Sequence, residues 1–234
     1  MSIIKSCCEL FDVAYHEAGH VVIAHKLHLR ILYVKVVWDS GRNRWAGCTK
    51  APPRVDNSEL SNSELEAHLA VIAASKAKES VAGMLAQAKF MAGRQIGKDL
   101  ATFNVAMEDF GDLGSLLRIK EKSRKMPGTI RLEFVGSGKT VYPLVFEAND
   151  CLISVKDIEN FNQFVSGHPM LSRVPPAETD EQLVIETMKL LDREDCWNSV
   201  HILATALIND GLGRCLVEND IMPFLAAGVD DAAK

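Results

Sequence analysis

The chain has 234 residues, a formal net charge of −5, a hydrophobic fraction of 47% and a charged fraction of 24%. That composition excludes a disordered or fibrous chain and fits one globular domain with room for an elaboration. The 31 acidic against 26 basic residues speak against a general nucleic-acid binder, which concentrates positive charge.

No run approaches the ~20 apolar residues of a membrane span, and no signal-peptide pattern opens the chain. The six cysteines, Cys7, Cys8, Cys48, Cys151, Cys196 and Cys215, are irregularly spaced and contain no CxxC pair. Free thiols in a reducing, cytoplasmic compartment are the expectation.

In chain order, apolar residues at helical spacing predict a helix over 11–29, with Asp12 as a candidate cap. Residues 31–38 are rich in β-branched and aromatic types and predict a strand. A turn at 39–43 leads to a short segment over 45–49, and the Pro- and Ser-containing stretch 51–62 predicts a loop. Strong helix formers then predict a long helix over 63–93, with Gly83 as a potential break, and a further helical piece over 98–109. A continuation over 113–125 is also helical in pattern. Residues 129–135 and 140–146 predict a hairpin joined by 136–139, and 149–176 is mixed, with a loop at 167–176. Two helices, 179–192 and 195–210, follow before Gly211 and Gly213.

The sharpest motif is His16-Glu17-Ala18-Gly19-His20, an HExxH pattern in an Ala- and Val-rich helical segment. Residues four apart on a helix share one face, so both imidazoles can reach one ion. Glu17 stands beside them, close enough to act on a water without being a ligand. In this chemistry the imidazoles hold Zn²⁺ at ~2.0–2.1 Å, the ion acidifies water and polarises a carbonyl, and the glutamate moves the proton. Three ionisable groups on an apolar helix need compensation, which a metal supplies. His25 and His28 lie further along and read as ordinary polar-face histidines.

The segment FDVAYHEAGHVVIAHKL resembles the opening of the peptidase domain of the FtsH family of ATP-dependent zinc proteases, peptidase family M41. Val34 to Val37 resembles the family's first strand after the motif, and Trp45-Ala46-Gly47-Cys48-Thr49 its short Gly- and Thr-containing edge strand. The run from Ile72 to Glu79 followed by Gly83 resembles its "LAGRAAEE…G" helix, with Glu79 matching one acidic position and Lys78 departing from the other. The segment Leu216 to Ile221 resembles the closing signature. The resemblance covers roughly 11–115 and 178–224, leaving about 118–176 as an insertion expected to lie outside the metal's first shell.

The resemblance implies a mainly α domain with a small β-sheet, a zincin helix bundle with an inserted hairpin region, spanning 1–234. It implies a zinc-dependent endopeptidase with His16 and His20 as ligands and Glu17 as general base. The family's third ligand is an Asp in an "SDLxxAT" pattern. Asp99, in Gly97-Lys98-Asp99-Leu100-Ala101-Thr102, is the best match, although its Ala-Thr pair comes two residues early. Asp112 is the rival, with Asp109 and Glu108 behind it. Family members carry an AAA ATPase module before the peptidase, and only 15 residues precede the motif here. The expected substrates are therefore unfolded or accessible polypeptides, met as a homo-oligomer or with a separate unfoldase. The alternative is a catalytically inactive descendant that binds zinc or peptide.

Gly136-Ser137-Gly138-Lys139-Thr140 falls short of a Walker A loop, because Glu133 stands where a glycine is required. It predicts a hairpin turn without nucleotide binding. The basic run from Arg118 to Arg131 lacks interleaved aromatics and is read as a solvated helix end. Trp38 and Trp45 either pack across their hairpin or line a groove for an extended peptide; Trp197 reads as core. No membrane or nucleic-acid partner is expected.

Overall fold

The motif helix, α1, runs from Ile3 to Lys26, about two turns further toward the N-terminus than its apolar periodicity predicts. Its inner face is Ala14, Ala18, Val21, Val22 and Ala24, each with no exposure. His28 closes it in the left-handed region, at φ 57. The Leu29 amide donates to the Ala24 carbonyl at 2.8 Å and the His28 amide to His25 at 3.0 Å. Those two bonds are a Schellman ending, with histidine where glycine is usual. His28 therefore caps the helix rather than continuing its polar face. The structure is a computed structural model, and it describes residues 3–51, 62–96, 102–104, 129–135, 141–147, 155–166, 176–209 and 212–231.

After α1 the chain enters a hairpin of β1, Tyr33–Asp39, and β2, Arg44–Lys50. The Asp39 carboxylate accepts the Gly41 amide at 3.0 Å and the Arg42 amide at 3.1 Å, and Asn43 takes φ 51. Both are the local chemistry by which Asp and Asn turn a chain. Strand β6, Leu216–Val217, pairs with the other side of β1, so the antiparallel order is β2-β1-β6. The register sets Val34 opposite Thr49, Val36 opposite Gly47 and Trp38 opposite Trp45. Val34 and Val36 are fully buried, which turns this side of the sheet, Thr49 and Gly47 included, toward α1.

Helix α2, Asn62–Ile96, is unbroken through Gly83. A mid-helix glycine costs about 1 kcal/mol against alanine, and the surrounding packing outweighs it. Gly19 shows how tightly α1 and α2 meet: a methyl there would stand 2.6 Å from the Ala86 Cβ and 2.7 Å from the Ala82 carbonyl. Helix α3, Val155–Ser166, buries Ile158, Phe161 and Val165 at helical spacing and packs on α2. Helices α4, Pro176–Asp192, and α5, Glu194–Asn209, follow, and α6, Glu218–Asp231, packs on α5. The buried Lys89 ties α2 to the end of α4, donating to the Leu191 carbonyl at 2.9 Å and the Asp192 carboxylate at 2.6 Å. Its ammonium also lies 4.7 Å from the Trp197 ring centre, a cation–π contact.

The expected hairpin is present as β4, Thr129–Val135, and β5, Val141–Glu147. The expected helix over 98–109 is corrected in part. Thr102–Asn104 forms a strand, β3, that pairs with β4 and completes a second antiparallel sheet, β3-β4-β5. β-Branched Thr102 and aromatic Phe103 suit a strand once cross-strand partners exist. The Gly136–Thr140 turn, the 113–125 segment and the basic run up to Lys125 lie outside the described residues. Among the described residues the architecture is thus mainly α-helical with two small sheets, and no described helix is long and apolar enough to cross a membrane.

Candidate metal centre

His16 and His20 lie one turn apart on the α2-facing side of α1. Their Nε2 atoms are 3.1 Å apart. Asp157, in the first turn of α3, brings its Oδ2 to 3.0 Å from His16 Nε2 and 3.4 Å from His20 Nε2. Three ligands held at ~2.0–2.1 Å in a tetrahedron stand about 3.3 Å apart, so the triangle has the dimensions of one tetrahedral face. The donor set, two imidazole nitrogens and a carboxylate oxygen, suits zinc and similar divalent ions.

Helix α2 supplies the setting for both rings. The His20 Nδ1 donates to the Glu79 carbonyl at 2.7 Å, and the His16 Nδ1 donates to Gln87 Oε1 at 3.0 Å. With each Nδ1 as donor, both Nε2 atoms face the shared point, and their lone pairs serve an ion that displaces any proton held there. Gly83 lies between these two positions on the helix. A methyl there would stand 2.3 Å from His20 Nε2 and 2.8 Å from His16 Nε2. The room in front of the nitrogens exists because residue 83 has no side chain. Residues and space together fit a metal ion.

Glu17 is excluded from this triangle and points toward β2. Thr49 donates its hydroxyl to Glu17 Oε2 at 2.6 Å. Gly47 faces the other oxygen, where a methyl would stand 2.2 Å from Oε1. Thr49 and Gly47 alternate along one face of β2, so the strand register fixes both contacts.

The electrostatics are those of a buried site that demands a cation. Side-chain exposures are 12% for His16, 7% for His20 and 14% for Asp157, so little water screens their interactions. Burial disfavours the His20 charge, but Asp157, then Glu79 and Glu17, outweigh it and push the imidazole up to about 10. Burial also opposes ionisation of Asp157, yet the two histidines hold its carboxyl well below the usual carboxylate range. Burial raises the Glu17 carboxyl, against the counter-pull of His16, His20 and the Thr49 hydroxyl.

His16, Glu17 and His20, singled out from sequence, come together as a site. Asp99, Asp112, Asp109 and Glu108 lie outside the described residues, and Asp157 stands where a third ligand is needed. The expectation that 118–176 lies outside the metal's first shell is therefore corrected, since Asp157 belongs to the group that could hold the ion. The sequence carries a signal only for the helix that holds Asp157: Ile158, Phe161 and Val165, just after it, repeat at helical spacing. A search confined to the familiar distance from the motif passes over it. His25 and His28 take no part in the cluster.

The Trp38 and Trp45 rings meet edge to face at 5.3 Å. Trp45 packs on the core and Trp38 is 39% exposed, so hairpin packing and an open aromatic surface coexist. No family model and no curated protein matches the chain. The class that the site defines is therefore a candidate metal-binding protein, with His16, His20 and Asp157 as the group that could hold the ion.

Proposed function

We propose that this protein is a zinc-dependent endopeptidase acting on unfolded or accessible polypeptides, built as the peptidase domain of the FtsH family is built. His16, His20 and Asp157 hold the ion, with Asp157 in the role that the family pattern assigned to Asp99. The observation that carries the reading is the division of four buried groups into two sets. Three donors converge on one point, and Glu17, between two of them in sequence, is turned aside and held by Thr49. A site that only stored a metal has no use for a fourth group, a carboxylate positioned apart from the ion.

Bound zinc supplies Lewis acidity toward water and a carbonyl oxygen. The residues supply the rest. Gln87 and the Glu79 carbonyl keep both imidazoles in the liganding tautomer. Thr49 donates to Oε2 of Glu17 and so orients the carboxylate, whose part is to take a proton from the attacking water and return it to the leaving nitrogen. Such positioned transfer contributes ~10²–10⁴-fold. Strand β2 has β1 on one side, and among the described residues no strand on the other. Its free edge lies beside Glu17 and suits the addition of an extended peptide.

The test is cleavage of casein by wild type and by Glu17→Gln, with zinc measured on both. Loss of cleavage at unchanged zinc content supports the reading. Equal rates in the two proteins, or no cleavage of a broad unfolded library by zinc-loaded wild type, refute it.

A further inference from the structure

We infer that Gln87 is the positioning residue that commits His16 to metal binding. The inference rests on the metal-site reading above and concerns how the chain holds the ligand ready. A neutral imidazole carries one N–H, and the other nitrogen is then the lone-pair donor. His16 binds the ion through Nε2 only when its proton sits on Nδ1. Whatever accepts a hydrogen bond from Nδ1 therefore selects the competent form.

The two histidines meet this need differently. For His20 the acceptor is the Glu79 main-chain carbonyl at 2.7 Å. Nothing short of unwinding α2 removes it, and it can only accept. For His16 the acceptor is a side chain, Gln87 Oε1 at 3.0 Å, on a residue 3% exposed. Residues 79, 83 and 87 are spaced by four, so they form one stripe along α2. The stripe reads acceptor, open space, acceptor: the Glu79 carbonyl, the bare Gly83, the Gln87 amide. Along α2 it meets His20 before His16, the reverse of their order along α1.

The choice of an amide has a physical reason. Asp157, Glu17 and Glu79 already place three carboxylates around the pair. A fourth would add charge that the metal-free protein must bury, a cost to its stability rather than to its hold on a cation, whereas an amide oxygen accepts without it. The amide has a weakness that a carboxylate lacks. Turned over, it would donate to Nδ1 and drive the proton onto Nε2, closing that nitrogen to the ion. Gln87 thus sets metal affinity without touching the metal.

The test uses zinc alone as probe. Wild type, Gln87→Met and Gln87→Glu are titrated with zinc against a chromophoric chelator, with helical content recorded by circular dichroism. Hydrogen exchange of the His16 Nδ1–H is followed by NMR in the zinc-loaded proteins. Methionine keeps the unbranched shape and removes the acceptor; glutamate restores an acceptor that cannot turn over. The expected result is a ~10–100-fold weaker affinity in Gln87→Met, with a faster-exchanging Nδ1–H. In Gln87→Glu both return to wild-type values or better. Unchanged affinity and unchanged exchange in a folded Gln87→Met overturn the inference while leaving the metal site standing. If the methionine variant does not fold, the glutamate variant decides: loss of zinc or of the protected Nδ1–H there overturns it equally. Failure of wild type itself to bind zinc refutes the metal reading, and this inference with it.

Discussion

Gly83→Ala adds one methyl group to α2 and should remove zinc binding while leaving the protein folded. The added carbon would sit 2.3 Å from His20 Nε2, 2.7 Å from its Cδ2 and 2.8 Å from His16 Nε2. Carbon–nitrogen contacts open to about 3.4 Å, so the His20 ring must retreat by roughly 1 Å, while metal–ligand distances tolerate only about ±0.2 Å. His20 cannot retreat freely, because Nδ1 is bonded to the Glu79 carbonyl and the ring is nearly buried. Two ligands are disturbed at once, so affinity should fall by more than the ~10–100-fold typical of a lost outer-shell partner. The helix itself gains about 1 kcal/mol from alanine, which works against global unfolding. Zinc competition titration and circular dichroism on the same sample read both effects. A folded variant that binds zinc as wild type does would refute the placement of the two imidazoles against residue 83.

Other consequences are as direct. Asp157→Asn should weaken zinc binding strongly while Asp99→Asn leaves it unchanged; the reverse ranking in a zinc titration would return the third-ligand role to Asp99. Phe161→Ala, which empties a fully buried site one turn beyond Asp157, should cost about 3–5 kcal/mol in denaturant unfolding and lower zinc affinity through α3 alone. Thr49→Val should leave zinc content unchanged and reduce peptide cleavage, since it frees only Glu17; undiminished turnover would make that hydrogen bond incidental. Asp195 offers a pH test away from the site. The Lys26 ammonium, donating at 2.8 Å, and then Arg193 hold its carboxyl below the ordinary value. Its contribution to stability is therefore present above the usual carboxylate range and is lost as pH falls through the folded value. In an NMR titration, Lys26→Gln should move the Asp195 midpoint upward.

The parts of the molecule legible in sequence were those whose causes are local. α1 announced itself by periodic Ala and Val and by the His16–His20 spacing, and the hairpin of β4 and β5 by β-branched runs around a Gly-containing turn. Other features depend on partners far along the chain. Asp157 is 141 positions from His16, and no local pattern marks a lone Asp as a ligand rather than a helix cap. Gly83 read as a helix break because its local cost is visible and its compensation, room for two imidazoles from α1, is not. Nothing in the sequence singles out Gln87, or Thr49 beyond its place in a short strand; the packing of α2 and β2 on α1 brings them to His16 and Glu17. The helical composition around 98–109 gave no hint of β3, whose partners in β4 lie about 30 residues downstream.

Diffraction recorded at the zinc absorption edge, on crystals of protein purified without chelator, tests the central claim most directly. The account predicts one anomalous peak within bonding distance of His16 Nε2, His20 Nε2 and Asp157 Oδ2, with Glu17 outside the coordination sphere and still bonded to Thr49. A zinc-soaked crystal with no peak between those three atoms, or a peak completed by Asp99 in place of Asp157, would contradict it.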